Sequence, residues 1–313
     1  MFDARNPFLP QARLAVAVLR NLLDEPALAL KGGTAINLLY RDLPRLSVDL
    51  DLVYLPVEDR ATSHARIAEA LRRVARATER SLPRVRVHAQ EAALGKLTVQ
   101  QGRTVTVQVE VNMVLRGSVY APERRVALPR AQELLGDVSA QALAFEDVYA
   151  GKLVAALDRQ HPRDLFDVKL LLEQAGLSER LLDAFVVYLA SHDRPMSEVL
   201  SPAGKDIAAI YEQEFAEMAA EDVSLDKLLE VRARMVSELH RSLLPRQRRF
   251  LRSLKALEPD WSQLPVPHAA ELPGIKWRLL NLEKFRREQP ARYAGACDRL
   301  ERVLEAMEAL PRG

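Results

Sequence analysis

Cysteine occurs once in the chain, at Cys297, among 313 residues. An intrachain disulfide or a thiolate metal cluster is therefore impossible. No apolar run approaches the ~20 residues needed to span a bilayer. The opening residues, Met1-Phe2-Asp3-Ala4-Arg5-Asn6-Pro7, carry no apolar core of a secretory signal. Together these features predict a cytoplasmic protein with no membrane partner. Neither sign of charge is in excess: 45 Lys and Arg stand against 43 Asp and Glu, a net charge of +2. The average does not announce a nucleic-acid binder, so any such case rests on local clustering. Internal repeats and low-complexity tracts are missing as well. What is present is the 48% hydrophobic content of a globular chain, long enough for one large domain or two.

One stretch is chemically distinctive. Leu28-Ala29-Leu30 leads into Lys31-Gly32-Gly33-Thr34, and Ser47-Val48-Asp49-Leu50-Asp51-Leu52 follows. The order reads as a strand, a Gly-Gly turn, a short helix and a strand bearing two carboxylates. Neither glycine has a Cβ, so the turn can approach phosphate oxygens closely. Gly32, Gly33 and Thr34 are thus candidate triphosphate-binding residues, with N–H groups and a helix N-terminus as donors. In a strand, Asp49 and Asp51 face one side, and Ser47 shares it as a further candidate phosphate contact. Two like charges inside an apolar strand cost several kcal/mol unless a cation neutralises them. Mg²⁺ suits the pair, because it takes one or two carboxylates plus substrate phosphates. The order fits metal-assisted nucleotidyl transfer from a nucleoside triphosphate. Gly-Gly pairs also mark ordinary turns, and Asp-x-Asp also occurs on exposed strand ends.

These residues resemble the signature of the DNA polymerase β-type nucleotidyltransferase superfamily, a Gly-Gly or Gly-Ser turn followed by alternating Asp and apolar residues. More narrowly, Gly32-Gly33-Thr34-Ala35 with Arg45-Leu46-Ser47-Val48-Asp49-Leu50-Asp51 is similar to the AbiEii and MenT group of bacterial toxin nucleotidyltransferases. Lys152-Leu153-Val154-Ala155-Ala156-Leu157, Arg159 and Arg163-Asp164-Leu165-Phe166-Asp167-Val168 look like that group's downstream Lys…Arg…Arg-Asp-x-x-Asp element. The resemblance implies an α/β (α+β) polymerase β-like domain with a mixed or antiparallel sheet. It also implies a nucleoside triphosphate substrate and Mg²⁺ on Asp49 and Asp51. Lys152 would be set against triphosphate charge, and Asp167 would contribute to the site. Asp164 is the competitor of Asp167, with pairing to Arg163 or Arg159 as its structural reading. The acceptor implied is RNA, at a tRNA 3′ end, and the role is that of a toxin restrained by a cognate antitoxin protein. Two rivals remain: transfer to a protein side chain or small molecule, and a catalytically idle nucleotide- or partner-binding module.

Further along, apolar spacing predicts helices over 8–24, 34–40 and 63–80, and strands over 28–30, 46–54, 85–88, 94–100 and 105–111. A hairpin is expected at Gln101-Gly102. Alternation over 105–112 puts Glu110 opposite the valines, making it a candidate third metal ligand or, equally, a solvated acid. Phe145 to Asp158 and 163–172 read as helices separated by His161-Pro162, with His161 a turn residue. Beyond about 176 strand signals vanish and helices follow over 178–190, 207–220, 225–244, 247–256, 275–288 and 291–310. This divides the chain into a nucleotidyltransferase domain over 1–190 and a helical domain over 191–313, with 264–273 a Pro-rich extended linker. Arg246, Arg248, Arg249 and Arg252 cluster with few acids nearby, as candidate RNA-phosphate contacts or a solvated helix face. Lys276 to Arg287 forms a second basic cluster, in which Trp277 is expected to pack in the core.

Overall fold

The computed structural model describes residues 2–3, 5–22, 24–89 and 95–310. The chain forms two compact units, Met1–Val148 with Glu212–Val223, and Tyr149–Tyr211 with Ser224–Gly313. Both units are discontinuous in sequence, so no single cut near residue 190 separates them.

In chain order the first unit contains α1 (Leu9–Arg20), β1 (Leu28–Lys31), α2 (Gly32–Ala35) continued by a π-helical turn (Ile36–Tyr40), β2 (Leu50–Tyr54) and α3 (Arg60–Ser81). There follow β3 (Val85–Ala89), β4 (Lys96–Gln101), β5 (Val105–Asn112), β6 (Glu123–Val126), α4 (Pro129–Leu135) and β7 (Ser139–Ala142). The strands make one seven-stranded sheet in the order β3-β4-β5-β2-β1-β7-β6. The sheet is mixed: β2 runs parallel to β5 and β1 parallel to β7, and the other neighbours are antiparallel. Period-two patterning decides its faces. In β5, Val107, Val109 and Val111 are buried while Gln108 and Glu110 are exposed. α1 packs on β5 and β7, and α3 on β3 and β4. α3 starts at Asp59, whose carboxylate accepts the Thr62 N–H at 3.0 Å.

The strand expected over 46–54 begins only at Leu50. Its first residues find partners in the segment 212–223 instead. Leu46 N–H donates to Met218 O and Ala220 N–H to Pro44 O, both at 2.8 Å. The same segment cuts short the helix expected over 207–220, because Phe215 and Met218 are buried in the first unit. β4 is described from Lys96, so Leu94, where it was expected to start, lies outside the described residues.

α5 (Phe145–Asp158) is followed by α6 (Pro162–Gln174), α7 (Glu179–Ala190), α8 (Met196–Leu200), α9 (Ala208–Glu214), α10 (Leu225–Ser242), α11 (Pro245–Lys255), α12 (Pro273–Glu288) and α13 (Pro290–Glu308). Ser178 and Ser224 cap α7 and α10 through side-chain oxygens that accept backbone N–H groups at 3.2 Å. Proline opens α6, α11, α12 and α13, where its missing N–H costs nothing. The segment 264–273 is no extended linker: Leu264, Val266, Ala269 and Leu272 are buried, around a 3₁₀ turn at Ala269–Glu271. No described helix is long and apolar enough to cross a membrane.

The basic clusters are largely consumed inside the second unit. Arg246 donates to Asp183 at 2.6 and 3.0 Å and to Glu179 at 2.5 Å. Arg252 meets Glu301 and Glu308, each at 2.9 Å, and Arg249 donates to Gln263 Oε1 at 2.8 Å. Arg248 is buried. Acids of α7 and α13 thus engage two of these four arginines and a third is packed inside, leaving Arg249 exposed. Arg278 is buried too, donating to the carbonyls of Ala190, His192 and Arg194, and burial lowers its guanidinium to about 10. Trp277, expected in the core, is 37% exposed.

Asp183 is the buried anchor of this arrangement, because it also accepts from the buried Gln247 amide at 2.7 Å. Asp183→Ala leaves the buried Gln247 amide without its acceptor and Arg246 with only Glu179 and a long contact to Gln263 O, and should lower unfolding free energy by about 2–4 kcal/mol. Arg249→Ala, at the exposed rim, should change it by less than about 0.5 kcal/mol. Urea titrations followed by circular dichroism check both, and an unchanged midpoint for Asp183→Ala would contradict the assignment.

Candidate active site

At the end of β1 the chain turns within one residue of a carboxylate on β2. Lys31 and Asp51 are register partners across the antiparallel β1–β2 pair. Gly32 then adopts φ +69°, and a Cβ placed there would overlap the Asp51 carboxylate and lie 3.0 Å from Asp51 Cβ. Gly33 is constrained similarly, as its Cβ would meet Arg45 Nη2 at 2.7 Å and Ser47 Oγ at 3.1 Å. Gly32 is therefore required by its φ and its contact with the carboxylate strand, and a side chain at Gly33 would have to displace the Arg45 guanidinium. Thr34 Oγ1 lies 2.5 Å from the Asp49 carbonyl and 2.9 Å from Ser47 Oγ. A hydroxyl carries one proton, so Thr34 donates to the carbonyl and accepts from Ser47. Its side chain positions the Asp49 backbone. Asp49 itself precedes β2 in extended chain, one residue before the ladder begins.

Asp51 is also in register with Glu110 across the parallel β2–β5 pair, so the two share a face. Glu110 forms an ion pair with Lys96 at 2.9 Å. Among the described residues, no group of three or more His, Cys, Asp or Glu is placed to hold a metal ion. The donor set is thus two hard carboxylates at most, which fits Mg²⁺ bound together with substrate phosphates rather than in an all-protein cage.

Three residues near the turn were not singled out from sequence. Lys31 faces the same side as its partner Asp51 and forms no ion pair among the described residues. Arg45 is 2% exposed behind Gly33 and donates to Leu46 O at 2.9 Å. Asn37, fully buried, donates to Gly33 O at 2.8 Å, while its Oδ1 has no hydrogen-bond partner among the described residues. Counting back from Asp51 through an antiparallel pair would have given Lys31 a place, and Arg45 opens the second motif stretch without a role assigned to it; nothing local marks Asn37.

In the second unit, α5 and α6 assemble a buried ion cluster. Lys152 Nζ lies 2.6 Å from Asp164 Oδ1 and 3.0 Å from Asp167 Oδ2. Arg159 adds bonds of 2.5 and 3.0 Å to Asp164. Asp164 and Asp167 thus share one helix face and one lysine. His161 is a turn residue, with Nδ1 accepting the Arg163 N–H at 3.1 Å to cap α6. Burial alone would raise the Asp164 pKa, but Lys152 and Arg159 outweigh it and hold the carboxyl far below its ordinary value. A depressed carboxylate stabilises the fold above its unfolded pKa of about 3.9, and that contribution is lost as pH falls toward the native value. Asp164→Asn should therefore lower Tm at pH 7 and lose less further stability than the parent between about pH 4 and pH 2. Thermal melts at pH 7, 4 and 2.5 check this; parallel profiles for both proteins would refute it.

The family model for the nucleotidyl transferase AbiEii toxin, type IV toxin–antitoxin system, matches residues 13–273. No curated protein matches the chain. Among solved structures, MenT4, a nucleotidyltransferase toxin from Mycobacterium tuberculosis H37Rv, matches with a TM-score of 0.58 at 16% identity. The match covers 88% of this chain and 92% of that one, a likeness of fold. With the glycine turn lying against Asp51 and the family model covering most of its length, the chain belongs to the AbiEii family of nucleotidyltransferase toxins of type IV toxin–antitoxin systems.

Proposed function

We propose that the chain transfers a nucleoside monophosphate from a nucleoside triphosphate to an RNA hydroxyl with Mg²⁺, a tRNA 3′ end being the acceptor to test first. A cognate antitoxin would restrain this activity. The observation that supports the reading is the fit of Gly32 against Asp51, which brings the glycine turn and a carboxylate to one place. Gly32 and Gly33 would hold phosphate oxygens through their backbone, and Lys31 would add a point charge. Asp49 and Asp51 would hold Mg²⁺, with Thr34 and Ser47 fixing the Asp49 backbone. When bound, the ion supplies polarisation of the α-phosphate and charge neutralisation as pyrophosphate leaves. Alignment and electrostatics then do nearly all of the remaining work. Glu110, committed to Lys96, would shape the field beside Asp51 and need not ligate.

Incubation with total tRNA, Mg²⁺ and each α-labelled nucleoside triphosphate in turn tests the reading. One nucleotide should label RNA, and Asp49→Ala, Asp51→Ala and Gly32→Ala should each reduce labelling by about 10²-fold or more. Label on protein, or none, would move the acceptor away from RNA, and full turnover in both aspartate variants would sink the metal assignment.

Lys152 and Asp167 belong to the same proposal as residues needed for turnover. Because Lys152 also neutralises two buried carboxylates, its loss should cost stability as well. Lys152→Met and Asp164→Asn are therefore to be compared at a temperature where both remain folded. A fall of about 10²-fold in kcat confined to Lys152→Met supports a part in transfer; equal falls would make the lysine structural.

A further inference from the structure

The hairpin joining β4 and β5 carries a groove of about 620 Å³ whose lining includes Arg84, Arg86 and Arg103. All three arginines are exposed, and none forms an ion pair among the described residues. This differs from Arg246 and Arg252 of α11, which meet acids, and from the buried Arg248.

The groove is continuous with the Asp51 face of the sheet. Register partners point to the same side. Asp51 pairs with Glu110, and Glu110 with Lys96. Two residues on, Gln108 faces Thr98, and beyond them Thr106 faces Gln100. Thr98 and Gln100 pair in turn with His88 and Arg86 on the edge strand β3. A polar face therefore runs from Asp51 to Arg86. The direction is equally informative. β2 begins at Leu50, opposite Val109, so the stretch of β5 from Val105 to Gln108 extends past the end of β2 at which the glycine turn sits. Glu110 lies five residue steps beyond Val105, about 17 Å at ~3.4 Å per residue.

From this juxtaposition we infer that the Arg84–Arg86–Arg103 groove holds phosphodiester groups of a single-stranded RNA whose acceptor end reaches Asp51 along the polar face. The inference rests on the nucleotidyltransferase reading and adds where the acceptor strand lies. Guanidinium groups fork onto phosphate oxygens, and three exposed ones with no ion-pair partner among the described residues are what a flexible polyanion needs. An acidic polypeptide adding as an extra strand fits less well. The N–H of Val87 on β3 is already taken by Glu79 Oε1 at 2.9 Å, which blunts that edge.

The test uses the full chain, a fluorescein-labelled single-stranded oligoribonucleotide of about 12 residues, and anisotropy titrations at several salt concentrations. The combined variant Arg84→Ala, Arg86→Ala, Arg103→Ala should weaken binding at least about tenfold. The slope of log K against log salt should flatten by about 2, as expected for three lost phosphate contacts. Arg103→Glu alone, at the hairpin tip, should weaken binding in the same direction and guards against a folding defect in the triple variant. Mg²⁺-dependent binding of a nucleoside triphosphate, measured in parallel, should be unchanged in both variants. Unchanged RNA affinity and slope would overturn the groove. So would parent protein that binds triphosphate but no RNA, or polyglutamate that displaces the probe as well as unlabelled RNA does. RNA binding that needs the arginines without any triphosphate binding would uphold the groove and defeat the transferase reading instead.

Discussion

A missing methyl group sets the geometry of the first unit. β1 and β2 run antiparallel with Lys31 opposite Asp51, so the residue after Lys31 must turn away directly above a carboxylate. Any side chain there collides with it, and the φ of +69° disfavours any L residue but glycine. Once Gly32 occupies that position, the other features follow from proximity. Gly33 packs on Arg45 and Ser47, Thr34 reaches the Asp49 carbonyl, and Asn37 holds the Gly33 carbonyl from below. Asp49 and Asp51 are thereby presented by a backbone that the turn itself has pinned.

The two ion-rich regions solve opposite electrostatic problems. In the second unit, the buried Lys152 bridges the buried Asp164 and Asp167, and Arg159 reaches Asp164 from the exposed rim. Lys152 and the two carboxylates have given up most of their water, and their pairing fixes how α5 and α6 pack. At the sheet face, charges are spread in register and remain wet: Lys31, Asp51, Glu110 and Lys96 lie side by side across four strands. That face keeps acids and bases available to solutes.

How much of this could be read from sequence depended on whether the determining contact was local. β5 was legible because Val105, Val107, Val109 and Val111 alternate with polar residues, and the β4–β5 hairpin followed from Gln101-Gly102. α5 was legible to its ends. β6 was not, because Glu123-Arg124-Arg125-Val126 is a polar edge strand with no alternation to show. β2 was read four residues too long, since Leu46 and Pro44 bond to a segment some 170 residues away. The glycine turn and the aspartates were visible as types at a spacing, and the structure adds why the spacing works. The partners of the clustered arginines were not legible for the same reason: the acids that meet Arg246 and Arg252, Asp183 and Glu301, sit on other helices.

The return of residues 212–223 to the first unit has a consequence for synthesis on the ribosome. Chains fold as they emerge, N-terminal units first. Here the loop that leads into the aspartates receives its hydrogen-bonding partners, Met218 and Ala220, only after about two thirds of the chain has been made, and the Asn6 side chain likewise waits for the Glu217 carbonyl, which accepts its amide at 2.7 Å. A nascent chain stalled at the end of β7 would hold every strand of the sheet and still lack the cover over residues 44–46. The order of the chain thus delays completion of its own first unit until most of the polypeptide has been made.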